Sequence, residues 1–346
     1  MKIGIIARSD NTGLGYQTLE LTKMLNPSKI LLIDSHPFNN NLQHPEWYKD
    51  YNVIKTVRGF PKKLEVIEFL EGLDVVLSCE TFYYPEFLHY ARRRGIKTIL
   101  QYNFEFLRNM ANPFEDLPDI LLAPSLWNID QVEKMVDGRC KIMHLPPPTD
   151  PKLFENVKNN NLSKNHNRLL HVGGKLANKD RNGTQTILDM LQYSKADYEL
   201  VIAAQNFPDF SSNDLRVTIN KVNVKNREDM YDGFDAMILP RRYAGLCLPM
   251  NESLLSALPV FMPNISPNNK ILPQEWLFHA EHIETFQTKS LVDVYAGNPK
   301  ELASLIDNYI ENKDKKMIKE KALQIGIDNF SVNKLEQKYL DIISHI

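Results

Sequence analysis

Cysteine is scarce in this chain: there are three in 346 residues, Cys79, Cys140 and Cys247, far apart and without a C-x-x-C pair. That excludes a disulfide framework and a zinc ribbon and suits a reducing cytosol. Long apolar runs are missing too, and none approaches the roughly 18 residues of a membrane span. The opening segment, MKIGIIARSD, reads as a short strand and then polar residues, not as the long apolar stretch of a secretory signal. A cytoplasmic location is the expectation from these absences. Neither sign of charge dominates: 41 Lys and Arg against 43 Asp and Glu leave a formal charge of −2. There is thus no strong global footprint for nucleic acid, although a local basic face stays open. The sequence holds no G-x-S-x-G elbow, no H-E-x-x-H and no metal-spaced His/Cys cluster. It also lacks D-x-D, so nothing obvious holds a divalent ion on a diphosphate.

What is present is apolar content of 43%, ample for two cores, in a length that suggests two domains. Short apolar runs alternate with helical patterns. Strands are expected at 2–7, 30–33, 53–57, 75–78, 98–101 and 120–123, with helices at 16–25, 62–70, 85–94 and 128–136. Such alternation means an α/β class with parallel sheets. Near Asp150 the texture changes to the rigid LPPPTD, and the polar stretch 156–167, NVKNNNLSKNHN, is the best linker candidate. The pattern then restarts with strands at 168–172, 199–203, 216–219, 236–239 and 258–262. Helices are expected at 184–193, 230–234, 299–312, 315–325 and 332–343, with another opening near Pro249. The expected domains are residues 1–158, residues 159–326, and a final helix, 327–346, returning to the first domain. Both halves open alike, as strand, glycine loop and helix.

Three stretches carry candidate chemistry. The first glycine loop, Gly13-Leu14-Gly15, precedes a helix, with Asp34 about twenty residues on at the end of the second strand. A dinucleotide fingerprint needs a third glycine, and Thr18 stands there. A nicotinamide-linked oxidoreductase is therefore one alternative, glycines that merely turn the chain a second, and backbone approach to a phosphate a third. The second loop, Gly173-Gly174-Lys175, is followed by Lys179-Asp180-Arg181-Asn182-Gly183. It puts Lys175 and Arg181 after a strand and before a helix, where an anion would lie; solvated loop cations are the bland reading. The third, AMILPRRYAGLCLPMNES, has Arg241 and Arg242 at the carboxyl end of a strand, then Gly245, a helix start and Glu252 in its first turn. A carboxylate there accepts hydrogen bonds from a vicinal diol, and phosphate beside ribose describes a nucleotide. Acidic residues also favour first helical turns for dipole reasons alone. Glu80 and Glu105 follow predicted strands and face either a sugar or merely their own loops.

Together these residues resemble the GT-B glycosyltransferases of the retaining family 4, or group 1, type, over nearly the whole length. That family's fold is two Rossmann-like domains whose parallel sheets face a central cleft. Its early glycine loop is matched by Thr12-Gly13-Leu14-Gly15, and its second-domain turn and basic-Gly pair by Gly173-Gly174-Lys175 and Arg181-Asn182-Gly183. Its donor signature E-x-F-G-L-x-x-x-E-A-x-A-x-G-x-P-V is matched by Gly245-Leu246, Glu252 and Leu258-Pro259-Val260. Arg242 replaces the signature's first glutamate, and two extra residues separate Gly245 from Glu252. The family's first-domain histidine is absent, and Glu80 occupies that region.

The resemblance implies metal-independent transfer from a nucleotide sugar, such as a UDP-sugar, with retained anomeric configuration and no other cofactor. It implies that Lys175 and Arg181 hold the diphosphate and that Glu252 binds the ribose hydroxyls. It further implies that the backbones of Gly13, Gly15, Gly174, Gly245 and Leu246, with Arg242, line the donor site, and that Glu80 lies near the sugar. The segments RRYAGLCLPMNES and NISPNNKILPQEW are similar to a subgroup among bacteriophage proteins, some of which glycosylate hydroxymethylated bases in DNA. DNA is therefore one expected acceptor, with Arg92-Arg93-Arg94, Lys62-Lys63, Trp47, Tyr48, Tyr83 and Tyr84 as candidate contacts; a glycan or small molecule is the other.

Overall fold

The computed structural model describes residues 1–37, 42–57, 59–109, 116–174, 180–204, 211–221, 226–243 and 245–346. The chain divides into two compact units: Met1–Thr149 with Thr288–Ser290 and Val332–Ile346, and Asp150–Gln287 with Leu291–Ser331.

The first unit contains β1 (Ile3–Arg8), α1 (Gly13–Leu25), β2 (Lys29–Ile33), β3 (Val53–Lys55), α2 (Lys63–Leu70) and β4 (Val75–Cys79). It continues with α3 (Phe87–Arg92), β5 (Lys97–Gln101), β6 (Ile120–Ala123), α4 (Ile129–Val136) and β7 (Lys141–His144). Its sheet order is β3-β2-β1-β4-β5-β6-β7, and every pairing is parallel. Central strands such as Val75–Cys79 are buried along their whole length, as expected where helices cover both faces of a parallel sheet.

The second unit contains α5 (Glu155–Ser163), β8 (Arg168–Gly174), α6 (Thr184–Met190), β9 (Glu199–Ala204), β10 (Val217–Lys221), β11 (Ala236–Ile238) and α7 (Leu248–Leu255). After these come β12 (Val260–Pro263), β13 (Leu277–Phe278), β14 (Ala280–Gln287), β15 (Leu291–Gly297), α8 (Pro299–Glu311) and α9 (Lys315–Phe330). The sheet order, β10-β9-β8-β11-β12-β13, repeats the first unit's order, again all parallel. The last helix, α10 (Val332–Ser344), belongs to the first unit. Its Leu335, Tyr339 and Ile343 join that unit's core. A buried chain of hydrogen bonds runs from Gln17 to Gln101 (2.6 Å), from Gln101 to the Tyr339 hydroxyl (2.9 Å), and on to the Pro146 carbonyl (3.0 Å).

Four local expectations are corrected. The polar stretch 156–167 is largely the helix α5, not a linker. The fully buried Asn161 explains why: its amide donates to the carbonyls of Tyr231 (3.0 Å) and Ser256 (2.9 Å) and accepts from the N–H groups of Gly233 and Phe234. A polar side chain is here the core-facing group, so apolar periodicity does not reveal the helix. Gly13 to Gly15 form the first turn of α1 and not a loop, because the Thr12 side chain caps the helix by accepting from Gly15 N–H at 3.2 Å. The helix expected at 230–234 is a 3₁₀ turn at Arg227–Tyr231. Finally, α7 begins at Leu248, with Pro249 in its first turn, which puts Glu252 fifth, just past that turn. Sequence reading also passed over β7 and the antiparallel hairpin of β14 and β15.

Candidate functional site

In each sheet the chain order reverses beside the first strand of the unit, between β1 and β4 and again between β8 and β11. Open α/β sheets bind ligands outside the carboxyl ends of the strands at such a switch point. The candidate residues gather at these two places, and each is described within its own unit.

At the switch point of the second unit, the loop before α6 is pinned to the ends of both central strands. Asn182 donates from its side chain to the carbonyls of Val172 (3.2 Å) and Gly173 (2.9 Å) at the end of β8. Asp180 accepts from the N–H groups of Thr184 and Gln185, both at 2.8 Å, and so caps α6. Gly183 has φ +74°, and a Cβ there would lie 2.0 Å from the Pro240 carbonyl oxygen, so only glycine allows this approach to the residues after β11. Gly174 is also left-handed, at φ +67°. The two loops are joined by a hydrogen bond from Arg242 N–H to the Arg181 carbonyl at 2.9 Å.

The Arg181 guanidinium lies 5.2 Å from the centroid of the Tyr243 ring, and Tyr243 meets Phe286 of β14 edge-on at 5.2 Å. Tyr295 N–H of β15 donates to the Arg242 carbonyl at 3.1 Å, so the hairpin that sequence reading missed backs the arginine loop. Arg241, only 9% exposed, bonds through Nε to the Tyr243 carbonyl at 3.2 Å. The structure thus brings Gly174, Arg181 and Arg242 together, with Arg241 beside them, at the carboxyl end of the strand where the sequence placed both arginines. Beneath them the fully buried His171 faces the Ile238 carbonyl through Nδ1 and the Thr184 hydroxyl through Nε2, both at 2.9 Å. A carbonyl only accepts, so Nδ1 carries the proton and Nε2 accepts from Thr184. Burial lowers its pKa to about 4 and keeps the ring neutral.

Glu252 is held by a different set of groups. Its carboxylate accepts from the Tyr231 hydroxyl at 2.7 Å and pairs with Arg227 at 3.3 Å, and both partners are buried. Removing the carboxylate would strip a buried arginine of an ionic partner, which typically costs about 3–5 kcal/mol. Alanine at 252 is therefore expected to destabilise the unit, and Arg181 is the cleaner probe of function. Gly245 and Leu246 lie in the connection just before the cap of α7 at Cys247. Lys175 lies outside the described residues.

At the switch point of the first unit, Arg8 ends β1 and directs Nε and Nη2 to Asp10 at 2.9 and 2.6 Å. Asp10 is fully buried and also accepts from Thr12 and Ser35. Burial opposes its charge, but the bonds from Ser35 and Thr12 and the Arg8 charge prevail and hold its pKa below the usual carboxylate value. Gly15 is explained by this turn, since a Cβ there would lie 1.9 Å from the Asp10 carbonyl oxygen.

Beyond β4, Glu80 (φ +67°) and Tyr83 (φ +60°) both occupy the left-handed region, a strained conformation for such side chains that clusters at functional sites. Burial raises the Glu80 pKa, with nearby Glu105 adding to it, against the Arg8 charge and a hydrogen bond from Asn103. The buried Tyr83 hydroxyl sits beside the Arg8 guanidinium and is likewise raised by burial. Asp34 accepts from His36 N–H at 3.2 Å at the end of β2. Among the described residues no group of three His, Cys, Asp or Glu side chains is arranged to hold a metal ion.

The residues named for a DNA acceptor are mostly engaged. The Tyr48 ring is in the core and its hydroxyl donates to the Arg8 carbonyl at 2.9 Å, which removes it as a base contact. Trp47 stacks on His44, and Arg92 is paired with Asp116. Arg94 donates to the Tyr90 carbonyl near the end of α3, where a cation suits the negative end of the helix dipole.

No protein-family model and no curated protein matches the sequence. Solved structures do match in fold. HepE of Anabaena, solved in complex with UDP, is 13% identical with a TM-score of 0.70, each chain covered over 100% of its length. Sucrose-phosphate synthase of Thermosynechococcus elongatus is 12% identical with a TM-score of 0.69, over 99% of this chain and 98% of that one. A glycosyltransferase of Rickettsia africae is 13% identical with a TM-score of 0.66, over 99% and 97%. With its two parallel-sheet α/β units, this chain has the GT-B fold of those glycosyltransferase structures.

Proposed function

We propose that the protein is a glycosyltransferase that moves a sugar from a nucleoside-diphosphate sugar to a hydroxyl acceptor. The observation that carries this reading is the set Arg181, Arg241 and Arg242, held by backbone contacts at the carboxyl ends of β8 and β11. Guanidinium groups carried there suit a diphosphate, which accepts charge-assisted hydrogen bonds from them. In the reaction, the bond from the anomeric carbon to the diphosphate oxygen breaks and its electron pair leaves with the diphosphate. The acceptor oxygen forms the new bond and gives up its proton. Positive charge already in place stabilises the departing diphosphate without reorganisation, commonly the largest catalytic contribution. Transfer is read as retaining and independent of a metal, the arginines and Lys175 supplying the positive charge. Glu252 takes the ribose hydroxyls. Glu80, a carboxyl whose charged form is disfavoured, exchanges hydrogen bonds with a sugar hydroxyl. HepE is also solved with UDP-glucose, so UDP-glucose is the first donor to try.

The test is a thermal-shift panel of nucleotide sugars, followed by release of the nucleotide with hydroxymethylated DNA and with glycans as acceptors. Arg181→Ala and Arg242→Ala are expected to abolish both donor stabilisation and release while leaving the circular dichroism spectrum unchanged. If both variants keep full donor binding and turnover, the assignment of the site is wrong. NAD-dependent hydride transfer that requires Asp34, with no response to any nucleotide sugar, would replace the whole reading.

A further inference from the structure

The surroundings of Glu252 are more polar than packing requires. Tyr231 and Phe154 belong to the apolar core of the second unit and meet edge-on with ring centres 6.0 Å apart. The Arg227 guanidinium lies 5.8 Å from the centre of the same Phe154 ring. Phenylalanine would fill the place of Tyr231 equally well. Apolar groups of matching volume commonly stabilise a core as well as a buried ion pair does, or better. Yet Arg227, Tyr231 and Glu252 all turn polar atoms inward here, and all three are buried. They come from two separate segments, the 3₁₀ turn Arg227–Tyr231 and the helix α7.

Their meeting is directional. The Tyr231 hydroxyl donates to Oε2 of Glu252 at 2.7 Å, and Arg227 Nη1 stands 3.3 Å from Oε1, so each carboxylate oxygen has its own anchor. Burial, and after it the Glu252 charge, holds the Tyr231 pKa well above the usual tyrosine value, so the hydroxyl keeps the proton it donates. The turn is itself tied down, since the Asn161 side chain donates to the Tyr231 carbonyl at 3.0 Å. One anchor balances the carboxylate charge and the other sets its aim. An ionised carboxylate only accepts hydrogen bonds, so a group that binds it must donate. A fully ionised phosphate has no hydrogen to give, whereas a vicinal diol has two.

We propose that Arg227 and Tyr231 are positioning residues that aim the Glu252 carboxylate at the 2′- and 3′-hydroxyls of the donor's ribose, and so select ribonucleoside diphosphates over 2′-deoxy ones. This rests on the donor-site reading above. Both residues act through Glu252. Without the Tyr231 hydroxyl the carboxylate is no longer held to one direction, and a misplacement of about 1 Å is enough to lose a directed contact.

The experiment is calorimetric titration of the full chain with UDP, 2′-deoxy-UDP and inorganic pyrophosphate, with GDP and 2′-deoxy-GDP in parallel. The parent protein is expected to bind the ribonucleotide about tenfold or more tighter than its deoxy form, as the loss of a hydrogen bond to a charged group implies. Tyr231→Phe keeps the ring and should bring that ratio below about threefold, with pyrophosphate binding unchanged. Arg227→Met should lower the ratio likewise and also lower the urea midpoint. A merely structural role would move the midpoint and leave the ratio alone. If Tyr231→Phe discriminates as the parent does, positioning is refuted. Equal binding of ribo and deoxy forms by the parent takes Glu252 off the ribose and overturns the proposal, while the donor site stands. If the parent binds neither the nucleotides nor pyrophosphate, the donor-site reading itself fails, and this proposal with it.

Discussion

The contact between Gly183 and Pro240 offers a direct test of how the arginine loops are positioned. Replacing Gly183 with alanine has two separable costs. The backbone stays left-handed at φ +74°, which costs an L-residue about 1–2 kcal/mol. The new methyl would also lie 2.0 Å from the Pro240 carbonyl oxygen and 2.8 Å from its carbon, so one backbone segment must move by roughly 1 Å or more to restore normal contact. Gly233, in the same unit, isolates the first cost: its φ is +75°, and the nearest atom to an added Cβ is 3.6 Å away. Both alanine variants should lose stability in urea, Gly183→Ala by about 1–3 kcal/mol more than Gly233→Ala. A displacement of that size next to Arg181 and Arg242 should weaken donor stabilisation at least about tenfold and transfer by about a hundredfold. Gly233→Ala should leave donor binding untouched. If Gly183→Ala is no less stable than Gly233→Ala, or binds and turns over donor as the parent does, the contact does not position the site.

Lys319→Met removes a buried cation whose Nζ donates to Asp235 at 2.6 Å and to the Asn161 carbonyl at 2.7 Å. The buried Asp235 then loses its counter-charge at a cost of about 3–5 kcal/mol, part of which Asp235→Asn should recover; a loss near zero in urea unfolding would contradict this. His171, whose pKa is lowered to about 4, contributes stability that is complete above the ordinary histidine value and is lost as pH falls through about 4. Over that window the second unit should weaken by about 3 kcal/mol, and a flat profile by urea titration at each pH would exclude the effect. Glu80 has a raised pKa, so its contribution is complete below the unfolded value and is lost as pH rises through the folded one. Glu80→Gln should therefore stabilise the first unit at neutral pH, with the gain vanishing in acid near pH ~4, while transfer falls; equal stability at both pH values would show that burial does not penalise its charge.

The switch-point loops show how far local sequence reaches. Gly183 was legible as part of a basic-glycine pair, but its reason lies in Pro240, 57 positions on in the chain. Gly15 looked like a phosphate turn and is required by the carbonyl of Asp10. Arg241 and Arg242 read alike in sequence; in the folded unit Arg241 is buried and Arg242 is partly exposed. In the hairpin of β14 and β15 only LVDVYAG alternates, with Val292 and Val294 buried, and could have announced a strand; the apolar residues of AEHIETFQ fall three apart and gave no such signal. The hairpin's support of Tyr243 and Arg242 could not have been inferred, because that depends on contacts between distant segments.

Sequence by itself determined the alternation of strands and helices and two halves that open alike, because apolar periodicity and glycine-proline punctuation act over a few residues. It also marked Arg181, Glu252 and Glu80 as chemically suited to a site, because side-chain chemistry is local. Tertiary structure alone decided that Asn161 is a core residue, that Glu252 answers to Arg227 and Tyr231, and that Glu80 is kept from easy ionisation. Those outcomes depend on burial and on partners far along the chain, which no stretch of sequence specifies until folding brings them together.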